Sequence, residues 1–197
     1  MTRVIVHVLT AIYESFWAAV LFAILIGCLD ICLRKLNKNS FNKFKYIWKM
    51  FIDEIKGRKV FKFQLLYYFI VALILFRTLI NRDMWANPLE NVLGVWGFYR
   101  NGEFTTEIIE NFILFIPFSF SRIMSLDINK QRNVFGLYVN TVYVSFLFSL
   151  SIETLQLLLR LGTFEISDIF FNTVGGLTGE IIFLILYNIK KRCKKNV

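Results

Sequence analysis

A chain of 197 residues that is 56% hydrophobic and 19% charged departs from a soluble domain, which is about 45–50% apolar and about 25% charged. With 22 Phe and two Pro, the composition predicts an all-α polytopic transmembrane bundle and excludes a soluble globular reading. The net charge of +9 flanks apolar runs, so anionic lipid headgroups, not nucleic acid, are the expected partner.

The first apolar run covers about 11–33 and is followed by a segment carrying Arg34, Lys35, Lys38, Lys43, Lys45, Lys49, Lys56, Arg58, Lys59 and Lys62. Within this run, Leu25-Ile26-Gly27-Cys28 resembles a lipoprotein cleavage box. Glu14 interrupts a signal-peptide reading, and cleavage would leave the most basic segment outside. In the basic segment, Phe41, Phe44, Trp48, Phe51 and Ile55 recur at three- and four-residue spacing. That pattern predicts a basic amphipathic helix lying at the inner headgroup layer.

A second run covers about 63–80, with Arg77 near its far end, and a third covers about 108–124, with Pro117 at its centre. The third is short, so a kinked span is expected and a re-entrant segment is the alternative. The fourth and fifth runs cover about 135–161 and 169–189. Basic segments alternate with segments of mixed or acidic charge: Arg82, Arg100, Asp83, Glu90, Glu103 and Glu107 follow run two, and Lys130 and Arg132 follow run three. Arg160, Glu165 and Asp168 follow run four, and Lys190, Lys191, Arg192, Lys194 and Lys195 follow run five. The positive-inside rule then predicts five crossings with the N-terminus outside and the C-terminus in the cytoplasm. Residues 1–62 form an N-terminal helix and basic loop, 63–189 a transmembrane domain, and 190–197 a basic tail.

Polar residues within spans are costly, a central Asp or Arg by about 2.5–3.5 kcal/mol, so they mark the candidate site. Glu153, Gln156 and Arg160 share one face of run four. Asp168 and Asn172 share a face of run five, where Asp168 can also cap the helix start. Arg77, Asn111, Glu153, Gln156, Arg160, Asp168 and Asn172 all fall in the predicted outer half. This set can form an outward-facing binding site or a structural network in which Arg77 or Arg160 neutralises Glu153. Gly175, Gly176 and Gly179 make a small-residue stripe for close helix packing, expected against run four. Glu180 is a mid-span charge without an assigned partner. The one histidine, His7, and the cysteines Cys28, Cys32 and Cys193 form no metal-ligand or disulfide pattern, and no cofactor is expected.

Three stretches carry a family resemblance: Glu110-Asn111-Phe112 through Pro117-Phe118, Ser151-Ile152-Glu153-Thr154-Leu155-Gln156, and Glu165 through Gly175-Gly176. Phe76-Arg77-Thr78-Leu79 and Asn87-Pro88-Leu89 add to them. Together they resemble the VanZ-like family of bacterial membrane proteins over roughly 63–187. The chain departs from that pattern at Ser119, where Gly is usual, and at Glu180, where an apolar or aromatic residue is common. The resemblance implies an envelope protein associated with lowered susceptibility to teicoplanin, a lipoglycopeptide acting at the outer membrane face. The candidate ligands are then that drug class or a cell-wall lipid precursor. An intramembrane enzyme using Glu153 and Asp168 as acid and base on a lipid-linked substrate is the alternative. A small lipid transporter is a third reading, without the inverted repeat that such proteins commonly carry.

Overall fold

The computed structural model describes residues 2–35, 44–80, 84, 87–100, 102–126 and 134–195. The charges Lys38, Lys43, Arg82, Asp83, Lys130 and Arg132, and Phe41 on the amphipathic pattern, lie outside the described residues. So do the side chains of His7, Glu14, Lys35, Phe44, Lys45, Arg100, Glu103, Lys194 and Lys195.

The chain is a helical bundle of α1 (Thr2–Lys35), α2 (Phe44–Gly57), α3 (Lys59–Leu75), α4 (Glu107–Ser125), α5 (Val134–Leu159) and α6 (Ile166–Lys195). A π-helical turn at Phe76–Ile80 extends α3, and a small hairpin of β1 (Tyr99–Arg100) and β2 (Glu103–Phe104) precedes α4. Among the described residues, five helices are long and apolar enough to cross a membrane, and they coincide with the five apolar runs. The third run is one unbroken helix through Pro117, with no re-entrant turn. Pro117 faces outward. Its missing N–H removes a single ladder bond there, and in a span the remaining intrahelical bonds hold the backbone polar groups.

The most extensive helix pair is α4 with α6, followed by α5 with α6 and by α3 with α1 and α4. Lipid tails are as apolar as the side chains, so this pairing rests on close approach and interhelical hydrogen bonds, not on expulsion of water. The glycine stripe supplies the close approach. A methyl at Gly175 would overlap the Phe112 carbonyl oxygen, and one at Gly179 would overlap that of Ile116. Both partners lie on α4, one turn apart. The expected packing against run four applies only to Gly176, which faces Ser145 on α5 as well as Ser119 on α4. The hydroxyls of Ser119 and Ser145 bond each other at 3.2 Å. Ser119, the departure from the family pattern, therefore ties α4 to α5 across Gly176.

An aromatic core of Phe115, Phe118, Ile74 and Ile152, flanked by Tyr67 and Phe148, joins α3, α4 and α5. Phe118 and Phe148 stack at 4.8 Å. A second cluster of Ile31, Phe51 and Phe61, with Cys28, Ile55 and Leu65, docks α2 onto α1 and α3. The apolar face of the amphipathic helix is thus divided: Phe51 is buried in the protein, whereas Trp48 stays exposed. Cys28 lies mid-helix in that cluster, and α1 passes through it without a break.

Candidate polar site at the loop end of the bundle

At one end of the bundle, residues 87–96 lie across the start of α6. The first N–H groups of a helix have no intrahelical partner, and here the loop supplies acceptors. The N–H of Phe164 donates to the Pro88 carbonyl (2.9 Å), that of Ile166 to Val92 (2.9 Å) and that of Ser167 to Leu93 (3.3 Å). Ser167 reciprocates, its hydroxyl accepting the Val95 N–H at 3.0 Å. Gly94 permits the approach: its φ is +74°, and a side chain there would overlap the Ser167 hydroxyl. The Asn87-Pro88-Leu89 stretch is thereby part of a helix cap.

Glu153, 2% exposed, completes that cap from α5. Its Oε2 accepts the Glu165 N–H at 3.0 Å, holding the α5–α6 turn. The Glu165 carboxylate in turn accepts from the Thr163 hydroxyl (2.8 Å) and the Asn91 amide (3.4 Å). Gln156 is also buried, and its amide donates to the Thr78 carbonyl at 2.9 Å. That carbonyl lies within the π turn, where the regular ladder is altered. Asn172 donates to Ser149 at 2.8 Å, and its Oδ1 is buried without a hydrogen-bond partner. Asp168 is half-buried in the first turn of α6, where a carboxylate complements the helix dipole.

Two arginines sit elsewhere than on Glu153. Arg77, from the π turn, pairs with Glu110 at the start of α4, and the Thr106 hydroxyl donates to the same carboxylate at 2.7 Å. Asn111 follows Glu110 and is half-buried. Arg160 lies beyond the last turn of α5, exposed, with φ +55°. The Leu161 N–H reaches the Gln156 carbonyl at 2.9 Å, and that of Arg160 reaches Leu157 at 3.3 Å. These two bonds define a Schellman cap with Arg in the left-handed position that normally favours Gly. Arg160→Gly is therefore expected to raise stability by up to about 1 kcal/mol, measurable as a higher melting temperature in detergent. A drop would show that its side chain holds a partner.

Four features were not legible as site elements from sequence. Glu110 is one. The others are the loop 87–96, the hairpin, and a buried hydroxyl stripe on α5. Thr141, Ser145 and Ser149, all 0% exposed, continue the line of Glu153 down the helix at four-residue spacing. Asn172, Gly176 and Glu180 answer them on α6 in register. The hairpin brings a different surface: Leu93, Trp96, Phe98, Tyr99, Phe104 and Phe170 are all exposed at the loop end. Trp96 packs on Phe170 at 5.4 Å and on Phe171 at 5.9 Å, while its indole N–H is held by the Leu93 carbonyl at 2.9 Å. Phe98 and Phe104 stack at 6.3 Å. A groove of about 660 Å³ between the outer faces of α5 and α6, lined by Tyr138, Val142, Phe146, Thr173, Leu177 and Ile181 among others, is almost wholly apolar and lies away from this site. Among the described residues, no group of three His, Cys, Asp or Glu could hold a metal ion.

Five apolar helices, a polar seam between α5 and α6, and a loop-built cap define a polytopic helical membrane protein. The chain belongs to the VanZ/LLP1 family, whose model matches residues 37–187. It is similar to Protein VanZ of Enterococcus faecium, at 31% identity over 123 residues, or 62% of this chain and 69% of that protein. No solved structure matches the chain.

Proposed function

We propose that this protein is a non-catalytic, VanZ-like component of the bacterial cytoplasmic membrane that lowers susceptibility to lipoglycopeptides such as teicoplanin. In this reading the loop end faces outward, the N-terminus is outside and the C-terminus is cytoplasmic. The loop charges support that orientation through the positive-inside rule. The ligand is an amphiphile of the outer leaflet, either the lipid-tailed drug or a lipid-linked wall precursor. The basic flanks at the opposite end hold anionic headgroups.

The observation that carries the reading is the aromatic surface of Trp96, Phe98, Tyr99 and Phe104 fixed beside the polar cap. Trp and Tyr favour the membrane–water interface, where one edge is apolar and the other wet. An aromatic face at that depth suits a lipid tail joined to a polar headgroup. The acid/base alternative is less well supported: Glu153 is buried and accepts a backbone hydrogen bond within the cap, which suits a positioning role.

The test is drug susceptibility in a sensitive bacterial host, comparing glycopeptides with and without a lipid tail. The wild-type chain is expected to protect selectively against the tailed drug. Trp96→Ala with Tyr99→Ala should remove most of that protection at unchanged membrane abundance, whereas Glu153→Gln should keep it. Loss with Glu153→Gln at normal abundance, with the aromatic variant unaffected, would replace this reading by the enzymatic one.

A further inference from the structure

At the opposite end of the α5–α6 seam, Glu180 is 0% exposed, and neither carboxyl oxygen has a hydrogen-bond partner. It lies fourteen residues into α6, or about 21 Å from the helix start at 1.5 Å per residue, in a hydrocarbon core about 30 Å thick. An ionised carboxylate at that depth, with a single hydroxyl beside it and no cation within ion-pair distance, is strongly disfavoured, and the neutral acid avoids most of the cost. Its surroundings are sparse in charge. From α5 it is faced by the Thr141 hydroxyl, and from α4 by Arg122; Tyr67 on α3 faces Arg122 in turn.

Arg122 forms no ion pair with Glu180 within 4 Å. Its guanidinium donates instead to Thr141 Oγ1 at 3.3 Å and to the Asn140 side-chain oxygen. Asn140 is exposed, Arg122 half-buried and Thr141 fully buried. One arginine side chain therefore links the protein surface to the neighbourhood of the buried acid. Toward the loop end the seam is closed: Ser119 and Ser145 bond each other, and Gly176 has no room for a methyl group.

We propose that Glu180 is a proton-binding site opening toward the Arg122 end of the bundle. The carboxyl carries a proton in the resting protein. On release, the proton passes to water at the Arg122 end, and the guanidinium turns from Asn140 to balance the carboxylate left behind. The process is an exchange of one proton between Glu180 and solvent, with no other bond made or broken. It is independent of the glycopeptide reading.

Infrared spectroscopy of the full chain in lipid vesicles at neutral pH tests this. The wild-type chain is expected to show the carbonyl stretch of a protonated carboxylic acid, shifting in D2O, retained in Glu153→Gln and absent from Glu180→Gln. Absence of the band in the wild-type chain, its persistence in Glu180→Gln, or its failure to shift after prolonged exposure to D2O would overturn the proposal. A neutral acid also predicts that Glu180→Gln folds and melts as the wild type does. If that variant fails to fold while Thr141→Val folds, Glu180 is an obligatory counter-charge to Arg122, and the proposal is wrong.

Discussion

Gly175→Ala and Gly179→Ala are each expected to remove most folded protein from the membrane, and the double variant all of it. A single methyl at either position would overlap a carbonyl oxygen of α4, at Phe112 or at Ile116. Backbone cannot rotate away as a flexible side chain can, so relief requires the two helices to separate. That separation would loosen the most extensive contact in the bundle. Overpacking of a tight core costs about 1–3 kcal/mol and sometimes more, and here two rigid backbones meet. Two such losses are a large share of the about 5–15 kcal/mol that holds a protein folded. Gly97→Ala, with nothing near its added methyl, is the control. The measurement is the monodisperse fraction after detergent extraction, compared across the three single variants. Wild-type yield from Gly179→Ala would mean that α4 and α6 are farther apart than described.

Glu153→Leu is expected to destabilise the chain by about 1–3 kcal/mol, the cost of leaving a buried donor unsatisfied. The orphaned group is the Glu165 N–H at the start of α6. Glu153→Gln keeps an acceptor oxygen of the same reach and should lose far less. The ordering Gln close to wild type and Leu well below it, in thermal melts of purified protein, is the signature of a positioning residue. Equal losses for both would show that the negative charge itself is needed. Damage should concentrate at the α5–α6 turn and the 87–96 loop, since Glu153, Glu165 and Asn91 form one connected network.

The helices were largely legible from the chain because length and apolarity are local properties. Runs bounded by charges gave five spans to within a few residues, and Pro117 did not break the third because a span can absorb one missing bond. The partners were harder to read. Arg77 reads from sequence as a counter-charge to Glu153, and only the relative placement of α3 and α4 selects Glu110 instead. Arg160 read as a span-bounding charge on the Glu153 face, whereas the helix ends one residue before it and turns it outward. Thr141, Ser145 and Ser149 escaped notice because hydroxyls barely change hydropathy, although their four-residue spacing continues that of Glu153. The cap formed by residues 87–96 joins positions more than seventy residues apart, and no local pattern encodes that contact. The hairpin had a local signal, since Asn101-Gly102 is a common two-residue turn sequence, but the charge pattern presented the segment only as a loop.

The aromatic surface and the capped polar cluster share one end of the bundle, and Arg122 and Glu180 approach the other. A role against drugs that act at the outer leaflet requires the aromatic end to face out. Single cysteines at Asn101 and Asn129, in a chain with Cys28, Cys32 and Cys193 replaced, test this most directly. With a membrane-impermeant thiol reagent on intact cells, Asn101→Cys is expected to label, and Asn129→Cys only after permeabilisation. The reverse pattern would place the aromatic surface in the cytoplasmic leaflet and contradict the proposed action on lipoglycopeptides.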